Sequence, residues 1–201
     1  MPDRDTAAVR PPRVGILLFD SVEPLDFAGP YEVLACSRDA DGGPRFAVLT
    51  LAPTREIVCL GGLRVLADAL LVEAPPLEIL VVPGGPGARE PVGDPAPVLD
   101  FLRAQAPRLT IMASVCTGSY WLARAGLLDG RVATTHSLRL ADFAQQFPAV
   151  AVEATKIVDQ GALVTAGGVS SGIDLGLHLL ERLHGPAARR REAIRLDGPW
   201  T

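Results

Sequence analysis

The sequence predicts an α/β protein built on a mainly parallel sheet with helices on both faces. Three observations carry that prediction. Short continuous apolar runs rich in Val, Ile and Leu recur along the chain, as strands buried on both faces require. Segments with helical spacing alternate with those runs, the pattern of a parallel sheet built from crossover units. Several runs stop abruptly at glycine- or small-residue turns, and the carboxyl ends of parallel strands are where such folds bind ligands.

Residues 14–19 are a continuous apolar run and the first strand. Pro24 opens a helix from Leu25 to about Ser37, with Pro30 as an expected kink. Residues 46–51 form a second strand. Residues 57–60 and 63–66 flank Gly61 and Gly62 and read as a small hairpin. Residues 77–82 are a buried strand that breaks off in the Pro-Gly-Gly-Pro-Gly run of residues 83–87. Val98, Leu99 and Leu102 recur at helical spacing within residues 96–106. Residues 109–115 form another strand, which passes at once into a helical segment through Leu122, Ala123, Ala125 and Leu127. Gly126 and Gly130 punctuate the end of that helix. Residues 132–135 are a short strand closing at His136, and residues 138–147 are helical. Short strands follow at 150–154, 157–158 and 163–165. Gly167 and Gly168 then lead into a long helix from about Ser171 to Leu183, with Ile173, Leu177 and Leu180 as its apolar stripe. Arg189, Arg190 and Arg191 read as a solvated helix face, with a contact patch as the alternative.

With 201 residues, nearly half of them apolar, the chain suffices for one well-buried domain but not for two large ones. That domain is expected over residues 13–201. Residues 1–12 are charged and proline-bearing, without an apolar core, and read as a disordered leader rather than a signal peptide. No run approaches bilayer length, so a soluble, cytoplasmic protein without a membrane partner is expected. A net charge of −4 argues against a nucleic-acid partner. Cys36, Cys59 and Cys116 are an odd set without Cys-x-x-Cys spacing, which fits a reducing compartment better than a disulfide framework. His136, His178 and His184 lack zinc-site spacing. Neither a metal nor an organic cofactor is expected.

Cys116 is the most informative residue. It stands where the strand at residues 109–115 turns into a helix, the arrangement of a nucleophile elbow. The free N–H groups of the new helix favour thiolate over thiol there. The alternative is that Cys116 is a small buried hydrophobe.

Five segments in order resemble one family. They are the Leu-Asp-Phe-Ala-Gly-Pro of residues 25–30, the Val-Val-Pro-Gly-Gly of 81–85, the Ser-Val-Cys-Thr-Gly of 114–118, the Ala-Thr-Thr-His of 133–136, and the Thr-Ala-Gly-Gly of 165–168 with Gly172, Ile173 and Asp174. Together they resemble the ThiJ/PfpI superfamily, also called class I glutamine amidotransferase-like, across residues 13–196. Isonitrile hydratases and the sensor domains of AraC-type regulators are its most similar branches. The resemblance implies a flavodoxin-like three-layer sandwich, a nucleophilic cysteine at the elbow, an acid from the first strand's connection, and a homodimer.

Carried onto this sequence, the resemblance makes Cys116 the nucleophile, Asp26 the proton donor and Thr117 its helper. Glu23 and Asp20 are alternatives to Asp26. Two anions in contact are unfavourable, so Asp26 and Cys116 should share one proton. The N–H groups of Thr117 and Gly85 are expected to form an anion-binding nook over the sulfur, with the Thr117 hydroxyl holding Asp26 or a water. Gly84 allows close backbone approach. His136 is expected at the edge of the site as a binding residue, with a structural hydrogen-bonder or a direct catalytic part as the alternatives. Gly167 and Gly168 shape the pocket wall, and Asp174 is a cap or structural carboxylate.

Two departures matter. Peptidase-like and many glyoxalase-like members carry His directly after the cysteine, where this chain has Thr117. Isonitrile hydratases usually carry Trp after Thr-Thr-His, where this chain has Ser137. The sequence therefore favours an isonitrile hydratase-like enzyme acting on a small molecule. The rivals are another cysteine enzyme of the superfamily, acting on glyoxals, amides or peptides, and a non-enzymatic ligand or redox sensor. Regulators append about two helix-turn-helix units to this domain, and no such half is expected after Thr201.

Overall fold

The computed structural model describes residues 10–200. The leader expected over residues 1–12 lies outside the described residues as far as residue 9. Two of the remaining residues are engaged: Arg10 pairs with Glu78, and the Pro12 carbonyl accepts the Ala47 N–H at 3.0 Å.

Seven strands form the central sheet: β1 (Arg13–Leu17), β2 (Ala47–Ala52), β5 (Ala69–Leu70), β6 (Ile79–Val82), β7 (Ile111–Val115), β10 (Ile157–Asp159) and β11 (Leu163–Ala166). Their spatial order is β10-β11-β7-β6-β1-β2-β5, and every pair is parallel except β10 with β11. The expected mainly parallel sheet is therefore present. β6 and β7 are buried along their whole length, which is why their sequences carry no polar alternation. The hairpin around Gly61 and Gly62 is also present, as β3 (Glu56–Val58) paired antiparallel with β4 (Arg64–Leu66).

Seven α-helices are described: α1 (Pro24–Cys36), α2 (Pro86–Arg89), α3 (Ala96–Gln105), α4 (Gly118–Arg124), α5 (Leu140–Gln146), α6 (Ser171–His184) and α7 (Pro186–Leu196). α1 packs on α6, and α6 on α7, while α2 and α3 each pack on α4. α1 and α6 approach closely because glycines face the contact. A Cβ on Gly176 would come within 2.8 Å of the Val33 Cβ. Pro30 lies inside α1 as expected. The basic triplet lies on α7, where Arg189 pairs with Glu181 while Arg190 and Arg191 are exposed.

Two expectations need correction. Residues 132–135 do not form a strand to their end. Only β8 (Val132–Ala133) is extended, and it pairs with β9 (Ala151–Val152) outside the main sheet. The reason is local: the Thr134 N–H goes to the Thr165 hydroxyl at 2.9 Å, and the Thr134 hydroxyl donates to the Thr155 carbonyl at 2.9 Å. Side-chain hydroxyls have replaced ladder partners there. The helix expected over 138–147 begins later, after a 3-10 turn at Ser137–Arg139. Among the described residues no helix is long and apolar enough to cross a membrane.

The strand order places the site. Connections from β1 run toward β2, whereas β6 is followed by β7 on the other side. The sheet's direction of winding therefore reverses between β1 and β6, opening a crevice at their carboxyl ends. Asp26, Gly84 and Cys116 all follow strands that end at this crevice.

Candidate active site

Cys116 sits one residue past β7 with φ of 54°, a left-handed conformation that non-glycine residues seldom adopt. Hydrogen bonds on both sides hold it there. Its N–H is directed at the carbonyls of Ala166 and Gly167, at 3.0 and 2.7 Å, and its carbonyl accepts the Thr135 hydroxyl at 3.0 Å. An unfavourable backbone persists only where its surroundings over-determine it. The elbow expected from sequence is thus built by β11, the Thr-Thr-His segment and α4 together.

Asp26 lies in the first turn of α1 and is fully buried. Its Oδ2 accepts the Gly84 N–H at 2.9 Å, its carboxyl interacts with the Cys116 sulfur, and its Oδ1 has no hydrogen-bond partner. Burial pushes the Asp26 carboxyl up to about 7. The Gly84 N–H and the cysteine pull the other way, and the Glu23 charge adds to the rise. Neither alternative acid takes this place. The Asp20 carboxylate accepts the Val58 N–H at 2.9 Å and ties down the hairpin, and Glu23 sits half-buried beside the cavity.

The expectation of a depressed thiol is corrected by the environment. Burial, and next the Asp26 charge, push Cys116 up to about 12, against a weaker downward pull from the N–H and hydroxyl of Thr117. A seven-residue helix start does not outweigh a desolvated sulfur beside a carboxyl. The two groups titrate as a pair, which holds a single proton between its two steps.

The expected anion nook is also corrected. Gly85 does not present a free N–H over the sulfur, because that N–H donates to the Thr117 Oγ1 at 2.9 Å. Buried donors are paired wherever a partner is at hand. The Thr117 hydroxyl therefore holds the Gly85 backbone, with the Gly85 carbonyl 3.2 Å away. Thr117 itself contributes the N–H that faces the sulfur. Gly84 sits where the groups converge: a Cβ there would lie 2.5 Å from the Thr117 nitrogen, 2.6 Å from its Oγ1 and 2.8 Å from the Asp26 Oδ2.

Above Cys116 opens a cavity of about 280 Å³, small beside most ligand sites. Gly85, Thr117 and His136 line it, and Gly84 does not. His136 is half-buried, and its Nδ1 accepts the Leu138 N–H at 3.1 Å. That acceptor role leaves the proton of a neutral ring on Nε2. Gly168 lies beside this ring, while Asp174 pairs with Lys156 at 3.2 Å as a structural carboxylate. Sequence reasoning missed Leu60, Arg89, Leu138 and Arg139, which also line the cavity. None belongs to a motif. The one available signal was position, since Arg89 and Arg139 follow shortly after motif turns at strand ends. Among the described residues, no three His, Cys, Asp or Glu side chains gather where they could hold a metal ion.

Comparisons with known proteins bear on the family and the fold. The DJ-1/PfpI family model matches residues 12–182. An isonitrile hydratase of Pseudomonas putida is 37% identical over 185 residues, covering 92% of this chain and 78% of that protein. The HTH-type transcriptional regulator GbdR of Pseudomonas aeruginosa is 33% identical over 177 residues, covering 87% of this chain and 47% of the regulator. The chain thus spans about half of that regulator's length. Among solved structures, a ThiJ/PfpI family protein from Pseudomonas syringae superposes with a TM-score of 0.82 at 24% identity, over 99% of this chain and 82% of that one.

Proposed function

The chain belongs to the DJ-1/PfpI family, and from that premise we propose that it is a cysteine-dependent enzyme adding water to an isonitrile to give an N-substituted formamide. The observation that carries this reading is the fully buried Asp26 against the Cys116 sulfur, with one carboxyl oxygen anchored and the other unpartnered. Hydration of an isonitrile needs a nucleophile and a proton delivered to the same carbon, and this pair supplies both.

In the proposed sequence the Cys116 sulfur bonds to the terminal isonitrile carbon while the proton shared with Asp26 passes to that carbon. The product is a thioimidate. Water then adds to its carbon, returning one proton to Asp26 and placing the other on nitrogen. The carbon–sulfur bond breaks, its electron pair stays on sulfur, and the formamide departs. The net change is the addition of one water. Gly84 holds the carboxyl in place, and the Thr117 N–H steadies the sulfur when it carries charge.

A second reading is favoured by the likeness to GbdR: the same cavity serves as a ligand sensor. Incubation with aryl and alkyl isonitriles, with formamide followed by chromatography, separates the two. Turnover supports the enzyme, and saturable binding without turnover supports the sensor. Consumption of a glyoxal or a peptide in place of an isonitrile overturns the hydratase reading. We propose a homodimer as well, for which light scattering at micromolar concentration should give twice the chain mass.

A further inference from the structure

Two arginines reach the cavity from different elements. Arg89 ends α2, directly after the glycine turn that follows β6, and Arg139 closes the 3-10 turn after His136. The Arg124 guanidinium donates to the backbone carbonyls of Ala88 and Arg89, clamping α2 onto α4 and holding Arg89 at the rim. Neither Arg89 nor Arg139 makes an ion pair among the described residues. Asp142 lies near enough to feel both charges, but its oxygens accept the Tyr120 hydroxyl at 2.6 Å and the Gln146 amide at 3.0 and 3.1 Å. Among the described residues Glu23 is the one acid that lines the cavity, and the Asp26 carboxyl is buried beneath it beside Cys116, so neither guanidinium has a carboxylate partner within the site.

We propose that the molecule turned over here is an isonitrile bearing a carboxylate, with the carboxylate held by Arg89 and Arg139 while the isonitrile carbon meets Cys116. This deepens the hydratase reading and rests on it. Guanidinium forks match planar carboxylates in bidentate contacts. A carboxylate fits better than a phosphate because the N–H groups of Gly84 and Gly85, which could otherwise cradle a phosphate, are held by Asp26 and Thr117. The cations also offset the repulsion an anionic substrate meets from a sulfur–carboxyl pair carrying one negative charge. Leu60 and Leu138, 43% and 84% exposed, supply apolar surface for the short body between the two ends.

The test compares an isocyano carboxylate with its neutral amide on the wild-type protein, Arg89→Gln and Arg139→Gln, with thermal melts confirming that each variant folds. The carboxylate should be preferred in kcat/KM by roughly tenfold or more, through KM, and each glutamine should erase most of that ratio. Arg89→Lys should restore part of it. Equal or inverted preference in the wild type overturns the proposal and leaves hydration standing. Turnover of neither compound overturns the proposal where aryl or alkyl isonitriles are still hydrated. Where those fail too, hydration itself is overturned, and the anion site is then read by calorimetry. There an N-formyl amino acid should bind more tightly than its amide, with the difference lost in both glutamine variants. Absence of that difference, or tighter binding of a phosphonate analogue, overturns the carboxylate assignment.

Discussion

The floor and the rim of the cavity are built by opposite rules. On the floor, Asp26, Gly84, Gly85, Cys116 and Thr117 are buried and interlocked. The glycine N–H groups bond to the Asp26 and Thr117 side chains, and the elbow backbone is held by Ala166 at the end of β11, by Gly167 after it and by Thr135. On the rim, Leu138 and Arg139 are exposed and Arg89 has no ion-pair partner among the described residues. The floor therefore cannot change one group without disturbing others, whereas the rim can change its side chains at little cost to the fold. Chemistry is expected to reside below and selectivity above.

The comparison breaks first if Cys116→Ala retains formamide production, since removing the nucleophile should abolish it.

Asp26→Asn should lower the rate by about a hundred- to ten-thousand-fold, because asparagine keeps the shape but cannot pass a proton. The pH dependence sharpens this. Asp26 is raised from 3.8 to about 7 in the fold, so its neutral form stabilises the protein fully below about 4, and that stability is lost as pH rises through about 7. The slope should be at most about 1.4 kcal/mol per pH unit. Over the same rise the pair gives up its first proton and reaches the singly protonated, reactive state, so kcat/KM should climb through about pH 7. Stability and reactivity move in opposite directions, and Asp26→Asn should flatten the stability trend. A denaturation series across pH 4–8 showing no difference between the two proteins counts against the pair.

Gly84→Ala should come next, costing roughly 1–3 kcal/mol or more from overpacking together with a sharp loss of rate. Its new methyl meets the Thr117 nitrogen, and the Thr117 and Asp26 side-chain oxygens beside it are held by hydrogen bonds. Thr117→Val leaves the buried Gly85 N–H without its acceptor, a loss of about 1–3 kcal/mol in chemical denaturation. The smallest effect belongs to the rim. Leu138→Ala should shift stability by no more than about 0.5 kcal/mol, and any change in turnover should fall on KM.

Sequence by itself settled the alternation of strands and helices, because strands buried on both faces and amphipathic helices carry different periods. It also located the elbow, since a strand running straight into a helix at Cys116 leaves few other shapes. It pointed to Asp26, which the fold buries beside Cys116, through the company of its Leu-Asp-x-x-Gly-Pro segment and not through any local property. What it misjudged was decided by contacts between residues far apart in the chain. The thiol is pushed up and not down because α1 brings Asp26 against Cys116 and packing excludes water from both. The Gly85 N–H is unavailable because the Thr117 hydroxyl, 32 positions away, takes it. Arg89 and Arg139 belong to no motif, and their position shortly after motif turns is too weak a signal to single out a lone arginine. Only the reversal of winding between β1 and β6, with the crevice it opens, brings two separate turns to one cavity. Short-range periodicity specifies elements, whereas desolvation, proton sharing and convergence of charges depend on distances that only the folded sheet sets.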